Sequence, residues 1–330
     1  MKFLATVRRV ISNSGVGDQA IAFHFQMAVL AVFMTITGLS LSFPVHYVGA
    51  ITRLLVFPFA IGVVAAVALP FAWVCWEWKR EWFPVSLELT TTAVWTAAIW
   101  ALSWTLAQVA ARSPFPLADS TLAGLDAHIF QTVSVVRWID NYPLLRVAFM
   151  FGYAALDPLT VLALVVPILC GRFDVTRNLL LAGTVSLVLT IGLFALVPAI
   201  GPWTVEGFHP SAAQASIGPY LKALKSGVTP TGGEISGIVA FPSFHTVLAV
   251  LAGATLWKIR KLRWFAVAVS SGVCIGTLTT GWHYVVDVLA GCAVASVSWF
   301  AAHILVSVNP TQTNRELTSG GLAEMDVECT

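Results

Sequence analysis

Residues 241–307 read FPSFHTVLAVLAGATLWKIRKLRWFAVAVSSGVCIGTLTTGWHYVVDVLAGCAVASVSWFAAHILVS. Three apolar runs fill this stretch, at about 244–258, 264–281 and 283–307, and the first is short for a span. A basic turn carrying Lys258, Arg260, Lys261 and Arg263 separates the first two, and Gly281-Trp282 separates the last two. A helix that crosses a bilayer needs roughly 20 apolar residues. The stretch therefore reads as one helix in, a charged turn, one helix back and a third helix returning. That pattern sets the expected fold class: all-α, a polytopic membrane helix bundle.

Five more runs lie upstream, at about 20–43, 54–76, 87–110, 146–171 and 178–200, which gives eight expected spans. Composition agrees. Of 330 residues 58% are apolar and 10% charged, whereas about a quarter of residues are charged in an average soluble domain. The 13 Trp suit the membrane–water boundary. A net charge of +2 is too small to suggest nucleic acid as a partner. The five cysteines, Cys75, Cys170, Cys274, Cys292 and Cys329, form no CxxC pair and no Cys/His spacing of a zinc knuckle or disulfide framework. Lys2, Arg8 and Arg9 precede an apolar run that is too long and too late for a cleaved signal, so it reads as the first span.

The loops orient the bundle. With both termini in the cytoplasm, Arg53, Arg112, Arg137, Arg146, Lys222 and Lys225 lie outside and the other twelve of the 18 Lys and Arg lie inside, as the positive-inside tendency expects. A bacterial inner membrane fits this reading. The expected organisation is residues 1–111 as an N-terminal segment with three accessory spans, 112–145 as an outer loop, 146–308 as the catalytic membrane core and 309–330 as a polar, disordered tail. In the outer loop Leu122, Leu125, Ile129, Val133 and Val136 recur at helical spacing, opposed by Asp126, Gln131 and Arg137. An interfacial helix and a packed loop both fit that pattern. Residues 201–243, rich in Gly, Pro, Ser and Thr, are not expected to continue a helix.

The chemistry sits at two span starts. Ser243, in Pro242-Ser243-Phe244-His245, is placed as a helix N-cap, which puts His245 in the first turn. Free backbone N–H groups and the positive helix dipole favour an anion there. After one hairpin the chain returns to the same level at Gly281-Trp282-His283-Tyr284-Val285-Val286-Asp287, where His283 and Asp287 share a helix face at i, i+4. A histidine oriented by a carboxylate is a better nucleophile. His283 is thus expected to take a phosphoryl group, Asp287 to orient it, and His245 to serve as general acid and then base. His24, His46, His128, His209 and His303 read as ordinary polar residues, and Trp203 and Trp282 as interface belt residues.

At these residues the chain resembles the type-two phosphatidic acid phosphatase superfamily. That family's second motif, P-S-G-H, is similar to Pro242-Ser243-Phe244-His245, and its third ends in H-x-x-x-D like His283 to Asp287. Its lipid phosphatases have an Arg six residues before the third-motif His, where this chain has Thr277. Their K-x6-R-P first motif is also absent, replaced by Pro198-Ala199-Ile200-Gly201-Pro202-Trp203. Both departures resemble the inositolphosphotransferase branch, which includes inositol-phosphorylceramide synthase. The resemblance, over about residues 145–307, implies a phosphatidic-acid-phosphatase-like catalytic core. It further implies a phosphohistidine mechanism without metal or cofactor, and a lipid phosphoester or phosphodiester as substrate. For the phosphate grip that Thr277 does not supply, Arg146 comes first and Lys222 and Lys225 next, with headgroup anchoring as the competing role. Asp157, an acid inside a span followed by Pro158, has either a substrate role or a structural one at a helix break.

Two other classes compete: a zinc-dependent membrane hydrolase with His245, His283 and Asp287 as ligands, and a transporter without chemistry, for which no inverted repeat is visible.

Overall fold

The computed structural model describes residues 83–228 and 238–307. Every regular element among them is helical: α1 (Phe83–Ala110), α2 (Asp119–Ile129), α3 (Thr132–Asp140), α4 (Pro143–Ala154), α5 (Leu156–Leu169), α6 (Phe173–Leu196), α7 (Ala212–Lys225), α8 (Phe244–Trp257), α9 (Arg263–Thr279) and α10 (Val285–Ser307). The first two expected spans, the loop residues 229–237 and the tail fall outside the described residues. Pro143–Leu169, Phe173–Leu196, Arg260–Thr279 and Val285–Leu305 are each long and apolar enough to cross a membrane. α1 and the shorter α8 coincide with two more of the apolar runs.

The shortest of these helices is the central one. Val247, Leu251, Ala252 and Leu256 of α8 pack with Leu159 and Ala163 of α5, Leu179 and Ala182 of α6, Ala266 of α9, and Val294, Ala295 and Ala302 of α10. The outward faces are apolar as well: Leu144 is 88% exposed, Trp264 77% and Phe300 67%. Apolar side chains on the outside suit a lipid solvent, and a helix satisfies its own backbone polar groups, as hydrocarbon requires. The protein is an integral membrane protein.

Span four is notched. Pro158 has no N–H to give and crowds the preceding turn, and α4 hands over to α5 at Ala155. α1 is tied to the core by a forked ion pair: Arg177 Nε and Nη2 donate to Glu88 Oε1 and Oε2 at 3.0 and 3.1 Å. The Glu88 side chain is only 4% exposed, so Glu88→Ala leaves a charge poorly matched. The expected cost is about 3 kcal/mol, read as a lower thermal midpoint in detergent with little change in catalysis.

One helix was not expected. Residues 201–243 contain α7, whose start is a capping box: Ser211 accepts from Gln214 N, and the Gln214 side chain returns to Ser211 N. The S-x-x-Q pattern at 211–214 was the local signal for it.

Candidate active site

The two motifs meet because the start of α8 lies against α10. Ser243 N–H donates to the backbone carbonyl of Asp287 at 3.0 Å. Gly291, one turn further along α10, makes room: a Cβ there would stand 2.6 Å from the Ser243 carbonyl oxygen. Ser243 is the expected N-cap of α8. Its hydroxyl accepts from Thr246 N at 3.3 Å and from Thr246 Oγ1 at 3.1 Å, and it is fully buried.

His283 lies just ahead of α10 and is nearly buried, and its Nδ1 faces two acceptors. The Ala240 carbonyl is 2.8 Å away and Asp287 Oδ2 is 3.5 Å away. Two acceptors on one ring nitrogen require that nitrogen to carry the proton. Nε2 then keeps its lone pair. Asp287 is held in turn, because Oδ2 accepts from Tyr284 N at 2.8 Å, while its Oδ1 has no partner among the described residues. The ring of His245 stands 6.0 Å from that of His283, centroid to centroid, at 55°. Among the described residues, no three His, Cys, Asp or Glu side chains are grouped to hold a metal ion. The Asp287 carboxylate turns to His283 Nδ1 and the Tyr284 amide.

The short elements over this end of the bundle hold the site in register. Asp126 is buried and accepts from Thr132 N at 2.7 Å, Thr132 Oγ1 at 2.6 Å and Val285 N at 2.9 Å. It caps α3 and α10 together, satisfying free N–H groups at two helix starts. The sequence pattern placed Asp126 opposite the apolar stripe, with an interfacial helix and a packed loop both open; its carboxylate is buried against two helix starts. The segment forms two helices that turn at Gln131, whose φ is +59°. Asp119 accepts from the Ile200 and Gly201 amides at 2.8–3.0 Å. Burial pushes its carboxyl up from the ordinary value, and those amides pull it back. Burial likewise pushes the Tyr284 phenol up, so it stays a neutral donor, to the Gly201 carbonyl at 3.3 Å. Gln214 Nε2 of α7 donates to the Thr280 and Gly281 carbonyls at 3.2 Å, fastening the turn before His283. Asp126→Asn replaces a charged triple acceptor with a weaker one. It is expected to cost about 2 kcal/mol and to lower turnover beyond what the loss of folded protein explains, measured on melt-matched samples.

The other sequence candidates sit differently. Arg146 pairs with Asp140 at 3.3 Å and is 55% exposed. Lys225 donates to the Ser113 and Phe115 carbonyls at 2.8 and 2.7 Å. Lys222 is exposed on α7, and Asp157 is exposed on α5 within electrostatic range of the Tyr153 phenol. Thr277 is buried and its hydroxyl donates to the Cys274 carbonyl of its own helix at 2.7 Å. Trp203 and Trp282 meet edge to face at 5.5 Å beside the histidines.

A helical membrane protein whose two histidines and one carboxylate meet at one end of the bundle defines the class. The family model described as the PAP2 superfamily matches residues 121–301, more than half of the chain. The chain belongs to the PAP2 superfamily and is a membrane enzyme of phosphatase or phosphotransferase type. No curated protein and no solved structure matches it.

Proposed function

We propose that this enzyme moves a phosphoryl group from a lipid phosphate or phosphodiester through a phosphohistidine on His283. The observation that carries the reading is the pair of acceptors at His283 Nδ1, which leaves Nε2 as the nucleophile. In the first step the Nε2–P bond forms and the P–O bond to the leaving group breaks. His245 gives its proton to the departing oxygen, and Asp287 faces the charge that develops on the His283 ring. In the second step water or an alcohol attacks phosphorus, the N–P bond breaks and His245 takes the proton back.

Depth in the membrane supports a lipid substrate. α8 has 14 residues, about 21 Å of helix, against a hydrocarbon core about 30 Å thick. Its far end is level with the start of α6, where Arg172 Nη1 donates to the Lys258 carbonyl at 2.7 Å. α6 runs for 24 residues, about 36 Å. His245 thus lies below the end of the bundle, within reach of a headgroup still anchored by its chains. The positive-inside count puts this end on the non-cytoplasmic face, with both termini in the cytoplasm. Thr277, bonded to its own helix, brings no cation to the phosphate, which favours the inositolphosphotransferase-like branch. Arg146, Lys222, Lys225 and Asp157 are then candidates for substrate contact that would require them to leave their present partners or exposed positions.

The test is purified protein with a panel of phosphatidic acid, prenyl diphosphates and phosphodiester lipids, following free phosphate and new lipid species together. Phosphate release marks a phosphatase, and a new phosphodiester marks a transferase. Vanadate inhibition supports the phosphohistidine. Loss of activity with a chelator and its return with zinc would replace this reading with a metal hydrolase. Unchanged lipid turnover in His283→Ala would point to a transporter or scaffold.

A further inference from the structure

The two site histidines are held in different ways. His283 is fixed by the Ala240 carbonyl at 2.8 Å, whereas neither ring nitrogen of His245 has a hydrogen bond to the described residues. What holds the His245 ring is the ring of Tyr153 on α4, stacked on it at 4.5 Å between centroids with 24° between planes. Trp282, the neighbour of His283, lies nearly parallel to Tyr153 at 6.1 Å and 11°, and Trp203 meets Trp282 edge-on. An aromatic row thus runs from the turn at Pro202–Thr204 to His245.

The bundle brings Tyr153 there through a close helix contact. α9 carries Gly272 and Gly276 four residues apart, and small residues at this spacing let membrane helices approach backbone to backbone. A Cβ on Gly276 would stand 2.6 Å from Tyr153 N and 2.9 Å from the Phe149 carbonyl oxygen, and one on Gly152 would stand 2.9 Å from the Gly272 carbonyl oxygen. With nothing between the helices at that level, the Tyr153 ring is carried over α9 onto the first turn of α8.

We propose that Tyr153 is the positioning residue of the reaction, its ring stack setting the direction in which His245 offers its proton to the leaving oxygen. This rests on the acid role proposed above for His245. A general acid contributes about 10²–10⁴-fold, and an imidazole free to rotate keeps only part of that. Tyr153→Leu is therefore expected to lower kcat/KM on octyl phosphate, whose alkoxide needs a proton, by about tenfold. The kcat/KM on p-nitrophenyl phosphate, whose leaving group departs unprotonated, should change little, because kcat/KM reports the steps up to phosphoryl transfer and not the second step, in which His245 acts as base. Tyr153→Phe keeps the ring and should stay within about twofold of wild type on both. Tyr153→Met, unbranched and apolar, serves if the Leu variant does not fold, as judged by its melt in detergent.

Equal loss on both substrates would mean that Tyr153 only supports the fold. No loss on octyl phosphate, or a Phe variant as impaired as the Leu variant, would likewise overturn the proposal. His245→Ala separates the two layers. If it shows the selective loss on octyl phosphate and Tyr153→Leu does not, the Tyr153 proposal fails alone. If His245→Ala shows no selectivity, the acid role of His245 falls and this proposal with it; if wild type turns over neither ester, the same comparison is made on the responsive lipid with an alkyl and a nitrophenyl leaving group.

Discussion

His283→Ala is expected to lower turnover of the responsive lipid by at least about 10³-fold, with the protein still folded. The size follows from what is removed. Of the two site histidines, His283 is the one with a ring nitrogen left free by hydrogen bonding elsewhere on the ring, because Nδ1 is committed to the Ala240 carbonyl and faces Asp287. Without it the phosphoryl group has no place to rest between donor and acceptor, and the reaction must pass in one step. The direct check is a rapid quench with lipid labelled at phosphorus. Wild type should hold label that is stable to base and lost in acid, as a phosphoramidate is, and His283→Ala should hold none. Label retained by the variant would sink His283 as the nucleophile whatever the activity shows.

Asp287→Asn is expected to lower kcat by about 10²-fold with a small change in KM. In a Ser-His-Asp site the same exchange is worth about 10⁴, because the imidazole takes the wrong tautomer. Here the nearer acceptor is the Ala240 carbonyl, at 2.8 Å against 3.5 Å for the carboxylate, so the tautomer should survive the exchange. What is lost is the negative charge beside the developing imidazolium. A loss near 10⁴ would show that the carboxylate alone sets the tautomer. Asp287→Ala should fall further than Asn, since it also strips the Tyr284 amide of its acceptor.

Much of the site was legible along the chain. Ser243 caps α8 as a local consequence of helix geometry. His283 and Asp287 also meet, but not on one helix face as the spacing predicts: His283 lies ahead of α10, and Asp287 turns back to it and to the Tyr284 amide from the first turn. The return of the two histidines to one level followed from counting one hairpin between them. Partners supplied by distant segments were not legible. Asp126 looked like part of a polar stripe, yet it is buried as the cap of two helices, one of which begins far along the chain at Val285. The loop around α7 hid a helix because its Gly, Pro and Ser content masked a capping box. That Trp203 and Trp282 face each other was not legible either, because tryptophan alone does not reveal whether a second aromatic ring faces it.

By itself the sequence determined that this is a helical membrane protein with histidine motifs at two helix starts. Apolar run length against bilayer thickness, and residue spacing against helical pitch, are properties of a single stretch of chain. Only the tertiary structure decided what faces each histidine: the Ala240 carbonyl at one ring and the Tyr153 ring at the other. Those contacts depend on how helices are rotated and how closely they approach. The glycines at 152, 276 and 291 permit that approach, and the packing of the whole bundle around α8 selects it.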